Sequence, residues 1–227
     1  MKVALQAGAQ ILLWLFPWVI RRRVLNSVFG FALHKTSKVG FSLILARQCS
    51  IGAQGRVGSG TIIKGLDLLE VGDGGRIGNF NWITALPRNR ANGYFLEQVG
   101  RKPVLVLGGY SSITAGHLID CTDAVSIGPF SVVGGWRSQF LTHSLEIIDG
   151  RQSCAPIRIG HHCFIGTGVI LLKGSLLPAR SVLAAGSVLT GRNDAECILY
   201  AGNPARPVKA LERSSAYLNR DANHDDR

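Results

Sequence analysis

One histidine lies in a polar context that suits proton transfer. His143 stands between Thr142 and Ser144, and a carboxylate, Glu146, follows shortly after. An imidazole titrates near neutral pH, so it can accept a proton from a hydroxyl group while that group attacks an electrophile. A lone histidine is more often a structural or surface residue, so on these residues alone both interpretations of His143 stay open.

A second histidine, His117, lies in the segment ITAGHLIDC together with Asp120. His117 could bind a substrate or orient His143 across a subunit seam, or it could be a solvated corner residue. Asp120 and Glu146 could each fix the tautomer of an imidazole by accepting its second N–H, and either could instead be structural. We therefore take His143 as the candidate base, and His117, Asp120 and Glu146 as candidates for substrate contacts.

The elements that position these side chains follow from an aliphatic residue that recurs every six positions. An amphipathic helix needs spacings of three and four, and a sandwich shows irregular turn signals, so neither fits this period. The period predicts a repeat protein in which each unit gives one side chain to the interior. The series are Val39, Leu45, Ile51, Val57 and Ile63; Val71, Ile77 and Ile83; Leu107, Ile113 and Ile119; Ile127 and Val133; and Ile159, Ile165, Leu171, Leu177, Leu183 and Leu189.

Small residues often follow the repeated aliphatic residue, as Gly52, Gly128 and Gly160 do. Tight corners between flat strands need residues that tolerate unusual dihedrals or a close approach of the backbone. Three six-residue faces then make one coil of a triangular solenoid.

Two segments interrupt the period. Residues 85–103 carry Arg88, Arg90, Arg101 and Lys102, and residues 135–156 carry His143. Loops that leave a rigid scaffold are where chemistry tends to be placed. The second interruption is therefore the candidate site.

The repeats resemble those of the hexapeptide-repeat acyltransferases. His143 on a loop before Pro156-Ile157 and the repeat IGHHCFIGTG is similar to the maltose, galactoside and antibiotic O-acetyltransferase branch. The resemblance implies an all-β solenoid, a left-handed parallel β-helix, with His143 as the general base. It also implies direct transfer of an acetyl group from acetyl-CoA to a sugar hydroxyl, without a covalent enzyme intermediate and without a metal. His161 and His162 stand where members of this family usually have polar corner residues, so we interpret them as corner residues.

The same resemblance implies which residues bind the acyl-CoA donor. Small residues of the last coils would line a groove for the pantetheine arm, and basic residues of AGNPARPVK would lie near the nucleotide phosphates. One departure is that Arg192 stands after Gly191, where the family usually has Lys after Thr190. The donor-binding candidates are Gly166, Thr167, Ala185, Ser187, Thr190, Arg206 and Lys209.

The chain divides into three parts: a hydrophobic and basic segment 1–36, the β-helix 37–190 and a C-terminal extension 191–227 with a short helical tail. Val3–Ile20 carries no charge and is followed by three arginines, with no small-residue cleavage site. A hydrophobic N-terminal helix could contact the inner face of the membrane peripherally through residues 3–23, or could pack on the domain or in an oligomer seam. An acyl-CoA enzyme would be cytoplasmic.

Composition excludes few partners. The formal net charge of +11 would attract phosphates, anionic lipid or nucleic acid, but no nucleic-acid-binding motif is found, so nucleic acid is not expected as a partner. The five cysteines are odd in number and form no C-x-x-C pair, which favours reduced thiols.

Several functions compete on this fold. A γ-class carbonic anhydrase needs three convergent histidine ligands, and the histidine spacings here do not resemble that set. A noncatalytic trimeric scaffold is the second rival. The acceptor could be a glycan or lipid-linked saccharide, or else a soluble sugar, nucleotide-sugar amine or antibiotic. The resemblance implies a homotrimer, because family sites lie between neighbouring solenoids.

Overall fold

A computed structural model describes residues 3–88, 95, 98 and 100–222. Two helices are followed by strands and a short 3-10 helix at Ala216–Asn219. The helices are α1 (Val3–Leu13) and α2 (Trp18–Ser27), and the strands are β1 (Ala32–Leu33), β2 (Lys38–Val39), β3 (Leu43–Leu45), β4 (Gln48–Ile51), β5 (Arg56–Val57), β6 (Ile62–Lys64), β7 (Leu68–Val71), β8 (Arg76–Ile77), β9 (Trp82–Thr84), β10 (Val104–Leu107), β11 (Ser112–Ile113), β12 (Leu118–Asp120), β13 (Val125–Ile127), β14 (Val132–Val133), β15 (Gln139–Leu141), β16 (His143–Glu146), β17 (Arg151–Cys154), β18 (Ile157–Ile159), β19 (Phe164–Ile165), β20 (Ile170–Leu172), β21 (Leu176–Leu177), β22 (Val182–Leu183), β23 (Val188–Leu189), β24 (Ile198–Gly202) and β25 (Ala205–Ala210).

The chain passes through three sheets in rotation, and each turn adds one parallel strand to each sheet. Sheet 1 has the order β1-β4-β7-β10-β13-β18-β21, and sheet 3 runs from β3 through β6, β9, β12, β15 and β20 to β23. Sheet 2 has the order β2-β5-β8-β11-β14-β19-β22-β24-β25, in which only β25 is antiparallel to its neighbour. We call the turns from sheet 1 to 2, from 2 to 3 and from 3 to 1 the first, second and third corners. The coiling sense stays a prediction.

The repeated aliphatic residues fill the space between the sheets, as the six-residue period predicts. Every residue of the predicted series is buried except Leu45, which is half-buried while its neighbour Ile44 fills the interior. The prediction was wrong there because β3 is apolar at each of its three positions, so the period alone could not choose among them. All five cysteines are free, which agrees with reduced thiols.

Close stacking of the corners explains the small residues. A Cβ added to Gly128 would lie 2.6 Å from the backbone carbon of Gly160 in the next coil, closer than real contacts allow. His162 lies at the same corner with a φ of 56°, which confirms that it is a corner residue. Its ring stacks on that of Phe130, with the ring centres 4.9 Å apart.

A series of hydrogen bonds, the corner ladder, runs along the second corner through Ser42, Thr61, Asn81, His117 and Ser138. The Thr61 N–H donates to Ser42 Oγ at 2.8 Å, and the Asn81 N–H donates to Thr61 Oγ1 at 3.1 Å. The His117 N–H donates in turn to Asn81 Oδ1 at 2.9 Å, and the Ser138 N–H donates to His117 Nδ1 at 3.2 Å. Buried backbone groups that the sheets leave unpaired are satisfied in this way.

Strand pairing extends on both sides of residues 37–190, the range that the sequence predicts for the repeats. Pairing begins at Ala32 in β1 and continues through β24 to Ala210 in β25. The second interruption is also shorter than 135–156, because β15 continues the coil and Phe140 fills the interior in place of an aliphatic residue. Of the first interruption, residues 89–94, 96, 97 and 99 lie outside the described residues, Arg90 among them.

The N-terminal segment forms two helices where the sequence predicts one. The break falls at Pro17, which precedes α2 and has no N–H to continue α1. The segment packs on the first coil: Gln10 exchanges two hydrogen bonds with the backbone of Ile44, at 2.7 and 2.9 Å, and Leu25 joins the core. Among the described residues, no helix has the length and apolar character needed to cross a bilayer.

Two adjacent leucines of β20 test which side of the strand faces the interior. Leu171 is 0% exposed and Leu172 is 36% exposed. We expect Leu171→Ala to lower the free energy of unfolding by about 2–5 kcal/mol, because the cavity in a stacked core cannot collapse. The control, Leu172→Ala, should cost less than about 1 kcal/mol. Equal losses in denaturant titrations would contradict the assignment of the interior face.

Candidate active site

Both interruptions of the repeat leave the fold at the third corner. One connects β9 to β10, and the other, a hairpin of β16 and β17, connects β15 to β18. Between them the chain turns tightly after β12, which ends at Asp120. The parallel register sets Asp120 level with Thr84 on one side and with Leu141 on the other. Residues far apart in sequence therefore meet at this corner.

Asp120 is a buried carboxylate held by five hydrogen bonds. Its Oδ1 accepts from the N–H and hydroxyl of Thr122, at 3.0 and 2.6 Å. Its Oδ2 accepts from the N–H and hydroxyl of Thr142, at 2.9 and 2.7 Å, and from His143. Burial raises the pKa of Asp120, but the hydrogen bonds from His143, Thr122 and Thr142 outweigh it, so the pKa lies below its ordinary value.

His143 is the fifth partner of Asp120, and its Nδ1 lies 2.7 Å from Asp120 Oδ2. Because Asp120 is ionised and can only accept, Nδ1 carries the proton, and the lone pair of the neutral ring belongs to Nε2. The hydrogen bond to Asp120 raises the pKa of His143 above its ordinary value, against the opposing effect of burial. The side chain is 34% exposed, so the ring remains open to a reactant.

The first interruption packs against this histidine. The ring of Phe95 meets the imidazole of His143 edge to face, with the centres 6.0 Å apart. Arg101 lies over the Phe95 ring at 5.1 Å, and its guanidinium donates to the carbonyl of Thr122 at 3.1 Å. Gln98 Oε1 accepts the N–H of Cys154, the residue paired with His143 across the hairpin, at 2.8 Å. The two loops thus form one structure around His143.

His117 and Glu146 do not join this arrangement. His117 is 2% exposed and is a rung of the corner ladder, with its Nε2 2.9 Å from Thr114 Oγ1. Burial lowers the pKa of His117 to about 4, so the ring is neutral at neutral pH. Glu146 accepts hydrogen bonds from the hydroxyl of Ser153 and the ammonium group of Lys173. These contacts give neither residue a part in orienting His143.

The structure separates the predicted donor-binding residues into exposed and buried ones. Thr167 and Ala185 are exposed at the second corner of consecutive coils. Gly166 allows the coils to stack closely, because a Cβ added there would lie 2.6 Å from the backbone nitrogen of Ala185. Ser187 is buried, and its hydroxyl oxygen accepts a hydrogen bond from the N–H of Gly202 at 3.1 Å.

The remaining donor candidates are exposed elsewhere on the last coils. Thr190 lies at the third corner, and Arg206 and Lys209 lie on β25. Lys209 lines a groove of about 610 Å³ with Phe164, Val182 and Tyr217. The described residues contain no group of three or more His, Cys, Asp or Glu side chains placed to bind a metal ion.

Sequence reasoning missed four residues of the site. Thr122 and Thr142 were identifiable, because each lies within two positions of Asp120 or His143 and hydroxyls often fix a carboxylate. Phe95 and Gln98 carried no such signal, because they lie in a segment without a period.

Known proteins are similar to this chain in part of its sequence and in its fold. No family model matches the chain. A Saccharomyces cerevisiae protein named "Putative acetyltransferase YJL218W" is 34% identical over 81 residues, which are 34% of this chain and 41% of that protein. The match thus spans less than half of that relative's length.

Among solved structures, the polysialic acid O-acetyltransferase OatWY aligns over 86% of this chain and 94% of its own, with 17% identity and a TM-score of 0.61. A hexapeptide-repeat acetyltransferase of Vibrio cholerae, solved with acetyl coenzyme A, aligns over 92% of this chain and 87% of its own, with 21% identity and a TM-score of 0.45. At 17% identity, the likeness to OatWY concerns the fold alone. The chain thus shares its fold with an O-acetyltransferase, which agrees with the resemblance that its repeats carry.

Histidine titration tests the geometry without any assumption about activity. In imidazole ¹⁵N spectra, we expect His143 to titrate above the ordinary value of 6.5 with its neutral form protonated on Nδ1. His117 should stay neutral down to about pH 4. Asp120→Asn should lower the His143 midpoint, because the charged acceptor is lost. A His143 midpoint below 6.5 in the unaltered protein would contradict the pair.

Proposed function

We propose that this protein is an acetyl-CoA-dependent O-acetyltransferase that modifies a sugar hydroxyl of a glycan or lipid-linked saccharide. The observation that carries the proposal is the pairing of His143 with Asp120 at the third corner. The names of the similar proteins, which are acetyltransferases, agree with it. Because the matched relatives are covered only in part, the activity is our inference from the site.

The proposed reaction needs one base and no covalent intermediate. His143 Nε2 accepts the proton of the acceptor hydroxyl as its oxygen attacks the thioester carbonyl of acetyl-CoA. The C–S bond then breaks, the new ester forms, and the imidazolium returns its proton to the departing CoA sulfur. Asp120 remains ionised throughout and stabilises the imidazolium, as a carboxylate does beside a catalytic histidine.

The donor would lie along the last coils. Thr167 and Ala185 present backbone and small side chains at the second corner, which suits the amide-bearing pantetheine arm. Arg206 and Lys209 on β25 provide positive charge for the nucleotide phosphates. A protein that uses acetyl-CoA is expected in the cytoplasm.

A homotrimer is the proposed assembly, and two apolar surfaces beside the site support it. The hairpin tip exposes Ile147 and Ile148, at 83% and 98%. Along the outer face of sheet 3, the register aligns a row of side chains of which all but Gln139 are apolar. The row consists of Leu43, Ile62, Trp82, Leu118, Gln139, Ile170 and Val188. Apolar surface of this extent favours a protein partner, and Asp120 lies on the same face.

Two rival functions are less well supported. A noncatalytic scaffold gives no reason for a carboxylate with five hydrogen bonds to hold a partly exposed histidine. A soluble sugar, nucleotide-sugar amine or antibiotic would fit the same chemistry as acceptor. The exposed apolar side chains of α1 and α2 favour the lipid-linked acceptor instead.

Replacing the base tests the proposal directly. We expect His143→Ala to lower turnover by about 10²- to 10⁴-fold in an assay of CoA thiol release, because proton removal from the hydroxyl is lost. Calorimetric binding of CoA should change little. His34→Ala, in the first coil and away from the site, serves as the control and should keep full turnover. Near-normal turnover of His143→Ala would refute the role of this residue.

The pH profile tests the partner of the base. Since His143 must be neutral to accept a proton and its pKa is raised, kcat/KM should rise with pH through a midpoint above 6.5. Asp120→Asn should lower both the midpoint and the plateau, because the ring loses its orientation as well as the charge beside it. A profile that falls between pH 6 and 8 would contradict a histidine base.

A further inference from the structure

The charge of this protein is concentrated at one end of the molecule. Residues 1–66 contain no Asp or Glu, while the remainder carries 16 Lys and Arg against 14 acidic residues. Because successive coils stack in chain order, this bias along the sequence is also a bias along the stack. The first coils are therefore uniformly cationic. Among the described residues, the Lys and Arg of this end are Arg21, Arg22 and Arg23 on α2 and Lys35, Lys38, Arg47, Arg56 and Lys64 on the first two coils.

Helices α1 and α2 cover this end, and their inner faces are fully engaged. Gln10 pairs with the free backbone edge of β3 at Ile44, and Trp18 Nε1 donates to the carbonyl of Ser37 at 2.7 Å. Arg21 donates to the carbonyl of Gly40 at 2.6 Å. The position of both helices on the coil is thus fixed by specific hydrogen bonds.

The outer side of the same helices, of the turn between them and of the residue after α2 is apolar and open. Large hydrophobic side chains there are exposed, and no described residue covers them. Water contact with so many adjacent apolar groups is unfavourable, and a surface of this kind marks a place of interaction. The exposed residues are Val3, Leu5, Ile11, Leu12, Leu15, Phe16, Val19, Ile20 and Val28.

We propose that this end of the protein, α1 and α2 with the first two coils, docks on an anionic lipid surface. The apolar side chains would enter the interface while exposed cations such as Arg23, Lys35 and Lys38 meet the headgroups. The uniform charge argues against a second copy as the occupant, because two such ends would repel each other. The apolar side chains argue against nucleic acid.

Docking in this way would fix the distance between the candidate active site and the lipid surface. β12, which carries Asp120, is three strands beyond β3 in sheet 3. At a spacing of about 4.8 Å per strand, the Asp120–His143 pair lies about 14 Å farther from the lipid than β3 does. If the proposed function is right, that distance suits a saccharide that projects from a lipid. The docking itself does not depend on the proposed function.

The test is flotation of the full chain with phosphatidylcholine vesicles that contain or lack phosphatidylglycerol. We expect binding to the anionic vesicles only, weakened by added salt. Truncation would be a poor probe, because removing Gln10 and Arg21 uncovers the coil.

Point variants separate the two contributions. Arg23→Gln with Lys35→Gln should weaken binding by on the order of tenfold or more, and Leu15→Ser with Phe16→Ser should do the same. A matched pair that removes two distant cations, Arg158→Gln with Arg213→Gln, should bind as the unaltered chain does.

Four results would overturn the proposal. The full chain could stay unbound, or could bind both kinds of vesicle alike, or the two cation pairs could lose equal affinity; each overturns the proposal. A mass in light scattering that falls in Leu15→Ser with Phe16→Ser also overturns it, by showing that another copy covers this face. Thermal melting and CoA thiol release with a soluble acceptor are measured on every variant. Unchanged values there separate a failure of docking from a failure of the enzymatic proposal.

Discussion

The hydrogen-bonded register between each strand and the strand one coil later is the constraint on which the rest of the structure depends. It fixes the distance between coils, so each face gives one side chain per coil to a narrow interior. It also forces the corners to stack, which leaves no room for a Cβ at Gly128 or Gly166. The candidate site obeys the same constraint, because the register alone brings Asp120 beside the strand that leads into His143.

Asp120 shows how a buried charge is stabilised without a cation of fixed charge. Two threonines each give it an N–H and a hydroxyl, and these four donors offset the cost of removing a carboxylate from water. The carboxylate can then stay ionised beside a neutral imidazole. Its effect on His143 has two sides: the imidazole becomes a stronger base, but a smaller fraction of it is neutral at a given pH.

Sequence predicted the parts of the fold that follow from periodicity and missed those that follow from particular contacts. The interior residues were predictable because one aliphatic residue per six positions has no other simple explanation. The prediction failed only at Leu45, whose neighbours in β3 are equally apolar. Asp120 was identified as a carboxylate able to orient an imidazole, and the geometry agrees. The sequence gives no sign that His117 is a ladder rung, because the equivalent residues are Ser, Thr and Asn. The contacts of Glu146 follow from the register of the β16–β17 hairpin. That register could not be predicted, because the hairpin has no sequence repeat.

The two ends of the coil stack have a consequence for the behaviour of the protein in solution. Each parallel sheet presents unpaired N–H and C=O groups on its two edge strands, and such edges can act as templates for polymerisation. Here the side chain of Gln10 occupies the edge of β3, while β25 reverses direction and pairs with β24, so sheet 2 cannot continue in parallel register. Growth of the coil stack into a fibre is hindered at these two edges, while side-by-side assembly through sheet 3, as in the proposed trimer, stays open.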